Sequence, residues 1–305
     1  MSQNEKGGAP CGVLILDKPA GMTSHDAVDR VRRLYGTRAV GHTGTLDPMA
    51  TGVLVMMIGR ATKAAELIAA DEKEYVAELT LGVTTDTLDT TGAELTRSGE
   101  IPDEAEVRAV CASLVGRYGQ IPPMYSAIKR GGVKMVDLAR KGVKVDLPPR
   151  EIEIAEIGVE RIGEREYRLS VRCSAGTYIR SLCRDVGEKL GCGGAMSALR
   201  RVRSGPFEVG AAHTLDEIAD ADETARRGLL LPVDELFPEA ELVPLPPFFA
   251  GLAHSGQPIY LKKIGMTADE GALLRLCDGE GFFALAQVIA SEDGPAAKPI
   301  KQFRL

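Results

Sequence analysis

Asp47 is the residue with the clearest potential for chemistry, and it lies in the segment GHTGTLDP at residues 41–48. A carboxylate in a loop rich in glycine and threonine can be surrounded by hydrogen-bond donors. It can then act as a nucleophile, a base or a metal ligand. The segment lacks the Gly-Lys-Ser/Thr sequence of a phosphate-binding loop, and His42 has no further zinc ligands nearby. The alternative is an aspartate that only stabilises a turn.

Arg180 and two tyrosines are further candidates. Arg180 falls early in a helix predicted after the turn at residues 174–177, and its planar guanidinium suits a carboxylate partner. Beside Asp47 it would lower the pKa of that carboxyl group and keep it ionised. Tyr75 and Tyr178 could stack on a nucleobase and present a hydroxyl. The alternatives are an ordinary surface ion pair for Arg180 and core positions for the tyrosines.

Strands and helices must hold these candidates, and the hydrophobic pattern predicts where they lie. Residues 12–16 and 53–58 read as buried strands, and residues 167–173 alternate apolar and polar side chains as a half-buried strand does. Thr23 and Asp26 form a capping box at the start of a predicted helix.

Two further helices are predicted, over residues 103–118 and 178–190, and a linker from Val243 leads into a small β-patterned tail. Short strands interleaved with helices favour an α+β fold. Its central sheet should be mixed or mainly antiparallel, with helices and loops around it, rather than doubly wound and parallel.

The composition is that of an ordinary globular protein, with 44% hydrophobic and 26% charged residues among 305. The longest aliphatic run, residues 53–58, is far shorter than the roughly 20 residues that a membrane span needs. The first residues are polar and do not resemble a secretory signal. The six cysteines form no C-x-x-C pair, so we expect reduced thiols in a cytoplasmic protein.

The charge distribution is more informative than the net charge of −6, which by itself argues against nucleic-acid binding. Residues 121–150 contain seven basic and two acidic residues. Arg200, Arg201 and Arg203 form a second basic cluster. Both groups could neutralise phosphates, and the alternative is a solvated charged surface.

Several segments together resemble the motifs of the TruB family of pseudouridine synthases, which modify uridine 55 in the T loop of tRNA. The central one is GHTGTLDPMATGVL at residues 41–54. The others match in the same order along the chain: residues 16–24 (LDKPAGMTS), 73–75 (KEY), 82–92 (GVTTDTLDTTG), 122–129 (PPMYSAIK), 173–180 (CSAGTYIR) and 199–201 (LRR).

The resemblance implies roles at the positions that match. Asp47 corresponds to the catalytic aspartate and Arg180 to its ion-pair partner. Tyr75 corresponds to the tyrosine that stacks on the target base and assists removal of the C5 proton. His42 corresponds to the residue that helps to replace the flipped base in its stack.

The remaining implied roles concern substrate binding. Tyr178 and Leu199 match positions that line the uridine pocket, and Lys18, with Pro19, matches a motif that supports the site. Lys129 lies in the basic insertion at residues 121–150, which matches the segment that clasps the T arm in the stand-alone members of the family. The insertion therefore favours a stand-alone enzyme over the guide-RNA-dependent relatives.

The resemblance also implies a domain organisation and a set of partners. A pseudouridine synthase domain is expected at residues 1–242, and a small RNA-binding β domain resembling PUA at residues 243–305. The expected partner is tRNA, with no cofactor, metal, membrane, obligatory protein or guide RNA, and the protein is expected to be a cytoplasmic monomer.

Three other functions compete with this one. A non-catalytic RNA chaperone could keep the fold, and a synthase could depend on RNA partners. A hydrolase built around Asp47 is the third, but no second carboxylate or metal motif accompanies it in the sequence.

Overall fold

The computed structural model describes residues 9–68, 72–126, 128–139, 141–143 and 145–304. The strands, numbered in chain order, are β1 (Gly12–Lys18), β2 (Val40–Thr43), β3 (Thr51–Ile58), β4 (Lys73–Leu81), β5 (Val83–Thr85), β6 (Glu94–Arg97), β7 (Gly116–Gln120), β8 (Lys129–Arg130), β9 (Val133–Lys134), β10 (Arg150–Arg161), β11 (Glu166–Cys173), β12 (Gly194–Ser204), β13 (Phe207–Glu208), β14 (Glu241–Pro244), β15 (Ile259–Tyr260), β16 (Leu273–Asp278), β17 (Gly281–Ile289) and β18 (Ala296–Gln302). The α-helices are α1 (Ser24–Tyr35), α2 (Glu104–Ser113), α3 (Met135–Ala139), α4 (Ile179–Lys189), α5 (Leu215–Asp220), α6 (Glu223–Gly228) and α7 (Pro247–His254). Short 3-10 helices span Gly59–Ala64, Val209–Ala211, Val233–Leu236 and Leu261–Lys263.

A mixed central sheet carries the site, in the order β1-β3-β12-β4-β11-β10-β7, with β2 added to β3 and β13 to β12. The pairing of β3 with β12 is parallel, and the neighbouring pairs along the sheet are antiparallel. The predicted α+β fold with a mainly antiparallel sheet is therefore confirmed.

Strand β3 explains why residues 53–58 are continuously apolar. Leu54 and Met56 pack into a core with α1 on one face of the sheet, whereas Val53 and Val55 pack into a second core on the other face. Because both faces of β3 are covered, none of these side chains reaches solvent, and the strand's sequence does not alternate between polar and apolar residues.

Helix α1 begins and ends where the sequence predicts. The side chain of Thr23 accepts a hydrogen bond from the backbone N–H of Asp26, and the Asp26 carboxylate accepts one in return from the Thr23 backbone. The helix ends at Gly36, whose φ of 62° lies in the left-handed region that glycine adopts without strain.

The predicted helix at residues 103–118 is wrong in its second half. Helix α2 ends at Ser113, and β7 follows as the edge strand of the central sheet, paired with β10. Gly116 has a φ of 107°, which breaks the helix, and residues 116–120 then bury every second side chain partly or fully.

The basic insertion at residues 121–150 contains the short hairpin of β8 and β9 and the helix α3. Its described residues are thus partly helical, with loops between these short elements. The side chains of Lys129, Arg130 and Lys134, and the whole of Arg140 and Lys144, lie outside the described part of the chain.

A second sheet, in the order β14-β16-β17-β18-β15, occupies the C-terminal part of the chain, as the β-patterned tail predicts. The interpretation of the segment from Val243 as a linker is wrong. Val243 is buried in β14, which pairs in parallel with β16 at the sheet edge, where prolines are tolerated. Pro247 then occupies the first turn of α7, a position that suits proline. Across the described residues, the helices are too short or too polar to span a membrane.

Candidate active site

The loop that carries Asp47 is fixed on both sides of the aspartate. The hydroxyl of Ser24, at the start of α1, accepts a hydrogen bond from the Leu46 N–H (2.9 Å) and donates one to the Leu46 carbonyl (3.1 Å). The carbonyl of Pro48 accepts a hydrogen bond from the Gly21 N–H at 2.8 Å. The backbone around Asp47 is therefore held by a helix start and by the turn after β1.

Lys18 supports the same turn from inside. Its side chain is fully buried, and its ammonium group donates to the carbonyls of Pro19 and Met22, each at 2.8 Å, and of Pro48 at 3.4 Å. Burial lowers the pKa of Lys18 to about 8, and the nearby charge of Asp47 acts against that shift.

Asp47 and Arg180 meet in a two-point ion pair although they are 133 residues apart. Nε of Arg180 donates to one carboxylate oxygen at 2.8 Å, and Nη2 donates to the other at 2.9 Å. The Arg180 side chain is 6% exposed and that of Asp47 is 31% exposed, so the carboxylate remains partly accessible to solvent. Such planar, two-point pairing is specific for arginine.

The pKa of Asp47 is raised rather than lowered, because burial outweighs the opposing effect of Arg180. Arg180 acts to lower this pKa, as the sequence predicts, but burial determines the net shift. Asp89 adds a second negative charge that acts in the same direction as burial.

Sequence reasoning missed Asp89 as a member of this group. Its buried carboxylate lies 3.9 Å from Nη1 of Arg180, on the side away from Asp47. The hydroxyls of Thr87 and Thr91 donate to Asp89, at 2.9 Å and 2.5 Å. Leu88, within this turn, has a φ of 66°, a strained value for a residue with a side chain. The motif at residues 82–92 contains this signal, but its spacing alone does not reveal the contact.

Two carbonyls complete the surroundings of Arg180. Nη1 donates to the carbonyl of Thr87 at 3.0 Å, and Nη2 donates to that of Tyr125 at 2.8 Å. Tyr125 belongs to the start of the basic insertion, so the insertion contacts Arg180 directly.

Tyr178 is positioned by a glutamine that sequence reasoning also missed. Tyr178 is the residue before α4, and its N–H donates to Oε1 of Gln120 at 2.9 Å. Nε2 of Gln120 donates back to the Tyr178 carbonyl and to the hydroxyl of Tyr118, both at 3.2 Å. Tyr118 in turn donates to Asp185 in α4. Gln120, which is 1% exposed, thus links the edge strand β7 to the start of the helix that carries Arg180.

Tyr75 and Leu199 lie on the neighbouring central strands β4 and β12. Tyr75 is 7% exposed and Leu199 is 8% exposed. Burial raises the pKa of Tyr75, whereas the positive charge of Arg201 acts to lower it.

His42 lies on β2, just before the loop, and is half-buried. Its Nδ1 is buried without a hydrogen-bond partner in the described part of the chain. Burial lowers the pKa of His42, and the charge of Arg201 acts in the same direction, so the neutral imidazole is favoured.

Arg200, Arg201 and Arg203 do not form a single exposed basic cluster. Arg200 forms an ion pair with Asp17 (2.7 Å) and Arg203 one with Glu74 (2.8 Å). Arg201 is 1% exposed, because the bulge and alternation of β12 turn it into the protein. Within the described ranges, no group of three His, Cys, Asp or Glu side chains could hold a metal ion.

Two family models match adjoining parts of the chain. The model described as TruB family pseudouridylate synthase (N terminal domain) matches residues 32–179. The model described as tRNA pseudouridylate synthase B C-terminal domain matches residues 180–238.

Similar proteins and solved structures agree with these matches. The tRNA pseudouridine synthase B of Syntrophotalea carbinolica is 44% identical over 284 residues, 92% of either chain. That of Geotalea uraniireducens is 48% identical over 71% of this chain and 70% of its own. A chain in a crystal structure of a Cbf5-Nop10-Gar1 complex superposes with a TM-score of 0.75 at 27% identity, covering 98% of this chain and 88% of the other. A chain in an H/ACA RNP bound to a substrate RNA containing 2′-deoxyuridine gives a TM-score of 0.74 at 25% identity, covering 99% and 89%.

Proposed function

This chain belongs to the TruB family of pseudouridylate synthases, and we propose that it converts uridine 55 in the T loop of tRNA to pseudouridine. The observation that carries the proposal is the ion pair in which both oxygens of Asp47 accept hydrogen bonds from Arg180. It holds a partly exposed carboxylate in one orientation. The relatives named tRNA pseudouridine synthase B support tRNA as the substrate.

Base flipping begins the proposed reaction. The target uridine leaves the folded T loop at a cost of a few kcal/mol. Stacking on Tyr75 offsets about 1–3 kcal/mol of that cost. In this proposal His42 replaces the lost stacking partner in the RNA, and its neutral form suits a stacking role. Tyr178 and Leu199 line the pocket that receives the uracil.

Asp47 is the proposed catalytic group for breaking the N1–C1′ bond. The carboxylate either attacks C1′, as the nucleophile of a retaining glycosidase does, or removes the proton from C2′. The uracil then rotates, C5 bonds to C1′, and Tyr75 accepts the proton that leaves C5. Lys18 contributes by holding the loop through the Pro48 carbonyl.

The reaction is an isomerisation, so substrate and product contain the same atoms. It therefore consumes no redox equivalent and transfers no group to a second molecule. We propose on this ground that the enzyme uses no cofactor.

The proposed binding surface is the basic insertion at residues 121–150, including Lys129, which would contact the T arm. Its contact with Arg180 through the Tyr125 carbonyl supports a position next to the site. We also propose that residues 1–242 form the synthase domain and that residues 243–305, with the second sheet, form an RNA-binding domain of PUA type.

Dependence on partners is the competing proposal, since the similar solved chains come from the Cbf5-Nop10-Gar1 and H/ACA RNP assemblies. The insertion and the relatives of the tRNA-acting type favour a stand-alone enzyme that acts as a monomer. Whether the purified protein modifies tRNA without any partner decides between the two proposals.

The test is to map pseudouridine in an unmodified tRNA transcript treated with the purified protein alone. Primer extension after carbodiimide treatment should report modification at position 55 only. A matched transcript with cytidine at that position should remain unmodified. Modification at another position would overturn the proposed site, and no modification would favour the partner-dependent alternative.

A further inference from the structure

Arg201 is a buried cation without an anionic partner. Its side chain is the largest by volume among the fully buried side chains of the described residues. Nε donates to the carbonyl of Val53 at 2.7 Å, and Nη2 donates to that of Gly44 at 3.0 Å. Among the described residues, no carboxylate lies at ion-pair distance from it. Because an unpaired buried charge costs stability, its presence calls for another use of the charge.

The backbone of Arg201 is fixed between two strands of the site. Arg201 lies opposite Tyr75 of β4 and opposite Gly52 of β3, so it is held from both sides. Gly52 has a φ of 99°, and a Cβ at that position would lie only 2.1 Å from the Arg201 carbonyl oxygen. This close approach requires glycine and leaves the arginine little freedom to shift.

Arg201 and Tyr75 lie directly opposite each other where β12 pairs with β4, and both side chains are buried. The guanidinium of Arg201 also donates to the carbonyl of Gly44 in the loop that carries Asp47. Arg201 is therefore a neighbour of both Tyr75 and that loop, and its positive charge acts to lower the pKa of the Tyr75 phenol.

We propose that Arg201 is a positioning residue that, from its place opposite Tyr75 on the neighbouring strand, stabilises the Tyr75 phenolate when Tyr75 accepts the C5 proton. The inference rests on the proposed function. It assigns to Arg201 the step that completes the isomerisation, whereas Arg180 serves the step that Asp47 begins.

The proton balance of this step is closed. The Tyr75 phenol first loses its proton to solvent, and N1 of the freed uracil gains one from solvent. After C5 has bonded to C1′, the phenolate takes the C5 proton, and the C–H electron pair restores the C5=C6 double bond. Tyr75 ends the cycle protonated, as it began.

The charges around Tyr75 make such help necessary. Burial raises the pKa of Tyr75, and the negative charge of Asp47 acts in the same direction. Arg201 is the cation that opposes them. Three other titratable groups lie around Arg201, from β1, β2 and β4: Lys18, His42 and Lys73.

The first test measures single-turnover pseudouridine formation on tRNA that carries hydrogen or deuterium at uridine C5. Replacement of Arg201 by methionine should slow the reaction on the order of 10²-fold and raise the C5 isotope effect, because loss of the C5 proton becomes the slow step. Arg201→Lys retains a charge and should recover part of the rate. The control is the adjacent Arg200→Met, which removes a partly exposed arginine paired with Asp17 and should leave the isotope effect unchanged. A slower Arg201→Lys enzyme with the wild-type isotope effect and pH profile would overturn the proposal.

The second test does not depend on turnover. Difluorotyrosine placed at position 75 titrates closer to neutral pH, and fluorine NMR reports its midpoint. The midpoint should rise by at least about one pH unit in Arg201→Met and by less in Arg201→Lys. An equal midpoint in all three proteins would overturn the proposal even if the wild type proved inactive on tRNA, whereas inactivity of the wild type alone would overturn only the proposed function.

Discussion

Arg180 and Arg201 are both buried beside the loop of Asp47, yet their surroundings differ. Arg180 donates two hydrogen bonds to Asp47 and has Asp89 on its other side. Arg201 donates to the carbonyls of Gly44 and Val53 and lies opposite Tyr75 on the neighbouring strand.

The difference separates two uses of a buried guanidinium. The charge of Arg180 is balanced in the resting protein, so this residue orients an anion that is already present. The charge of Arg201 has no such balance, so it is available for an anion that forms only during the reaction. The structure therefore divides the site into an aspartate side and a tyrosine side.

Asp47→Asn should give the largest loss on the aspartate side. The substitution nearly preserves shape but removes the anion that Arg180 orients, so turnover should fall by more than about 10³-fold. Single-turnover pseudouridine formation and filter binding of tRNA measure the two effects, and the Kd should change by no more than about twofold. A loss of binding as large as the loss of rate would contradict the assigned role.

Arg180→Lys should have the next largest effect, on the order of 10²-fold in rate. One ammonium group cannot reproduce the planar donation to both oxygens of Asp47 together with the bonds to the Thr87 and Tyr125 carbonyls. The matched control is Arg184→Lys in the next turn of α4, where the arginine pairs with Asp185. Equal rates for the two variants would remove the distinction between Arg180 and an ordinary ion pair.

Gln120→Leu should slow turnover about tenfold, as expected for loss of the roughly 1–1.5 kcal/mol of one or two buried hydrogen bonds. The substitution releases the backbone of Tyr178 and so loosens the start of the helix that carries Arg180. Tyr118→Phe removes only the distant end of this network and should cost less. Separate measurement of kcat and KM checks this interpretation, which predicts that kcat falls. A higher KM with an unchanged kcat would assign Gln120 to tRNA binding instead.

Charge reversal of Lys129, Arg130 and Lys134 should have the smallest effect on turnover at saturating tRNA. It should weaken tRNA binding and reduce the slope of log Kd against log salt concentration by about 1 for each lost phosphate contact. The prediction rests on the sequence of the insertion. An unchanged slope would exclude the insertion from the tRNA-binding surface. A fall in kcat would indicate that these residues also affect the position of Arg180, which contacts the insertion through the Tyr125 carbonyl.

The sequence predicts those helices and strands whose formation depends on residues close to them in the chain. The capping box of α1, the alternation of β11 and the apolar run of β3 depend on near neighbours, and each is present as predicted. The prediction of a helix over residues 103–118 is wrong beyond Ser113. Gly116 breaks the helix, and residues 116–120 form a strand because they pair with β10. The prediction of a linker from Val243 is wrong because an edge strand tolerates proline, so its sequence resembles that of a linker.

The site was predictable only in part, for a related reason. The motifs identified Asp47 and Arg180 as candidates, but their contact joins residues far apart in the chain. Gln120 and Asp89 are polar residues that are buried only because distant parts of the chain pack around them. Nothing in the neighbouring residues distinguishes them from exposed polar residues. The sequence groups Arg201 with Arg200 in a basic cluster, because nothing in the neighbouring residues distinguishes the buried arginine from the exposed one.

The central claim is that the chain alone isomerises one uridine of tRNA with Asp47. Tritium release from a tRNA transcript with C5-tritiated uridine tests it most directly, because every converted uridine loses its C5 hydrogen. Purified wild-type protein should release about one tritium per tRNA, since one uridine per molecule is flipped and converted. Asp47→Asn, and a transcript without uridine 55, should release none. Salt-sensitive tRNA binding by the wild type without tritium release would contradict the account and favour an RNA chaperone or a guide-dependent enzyme.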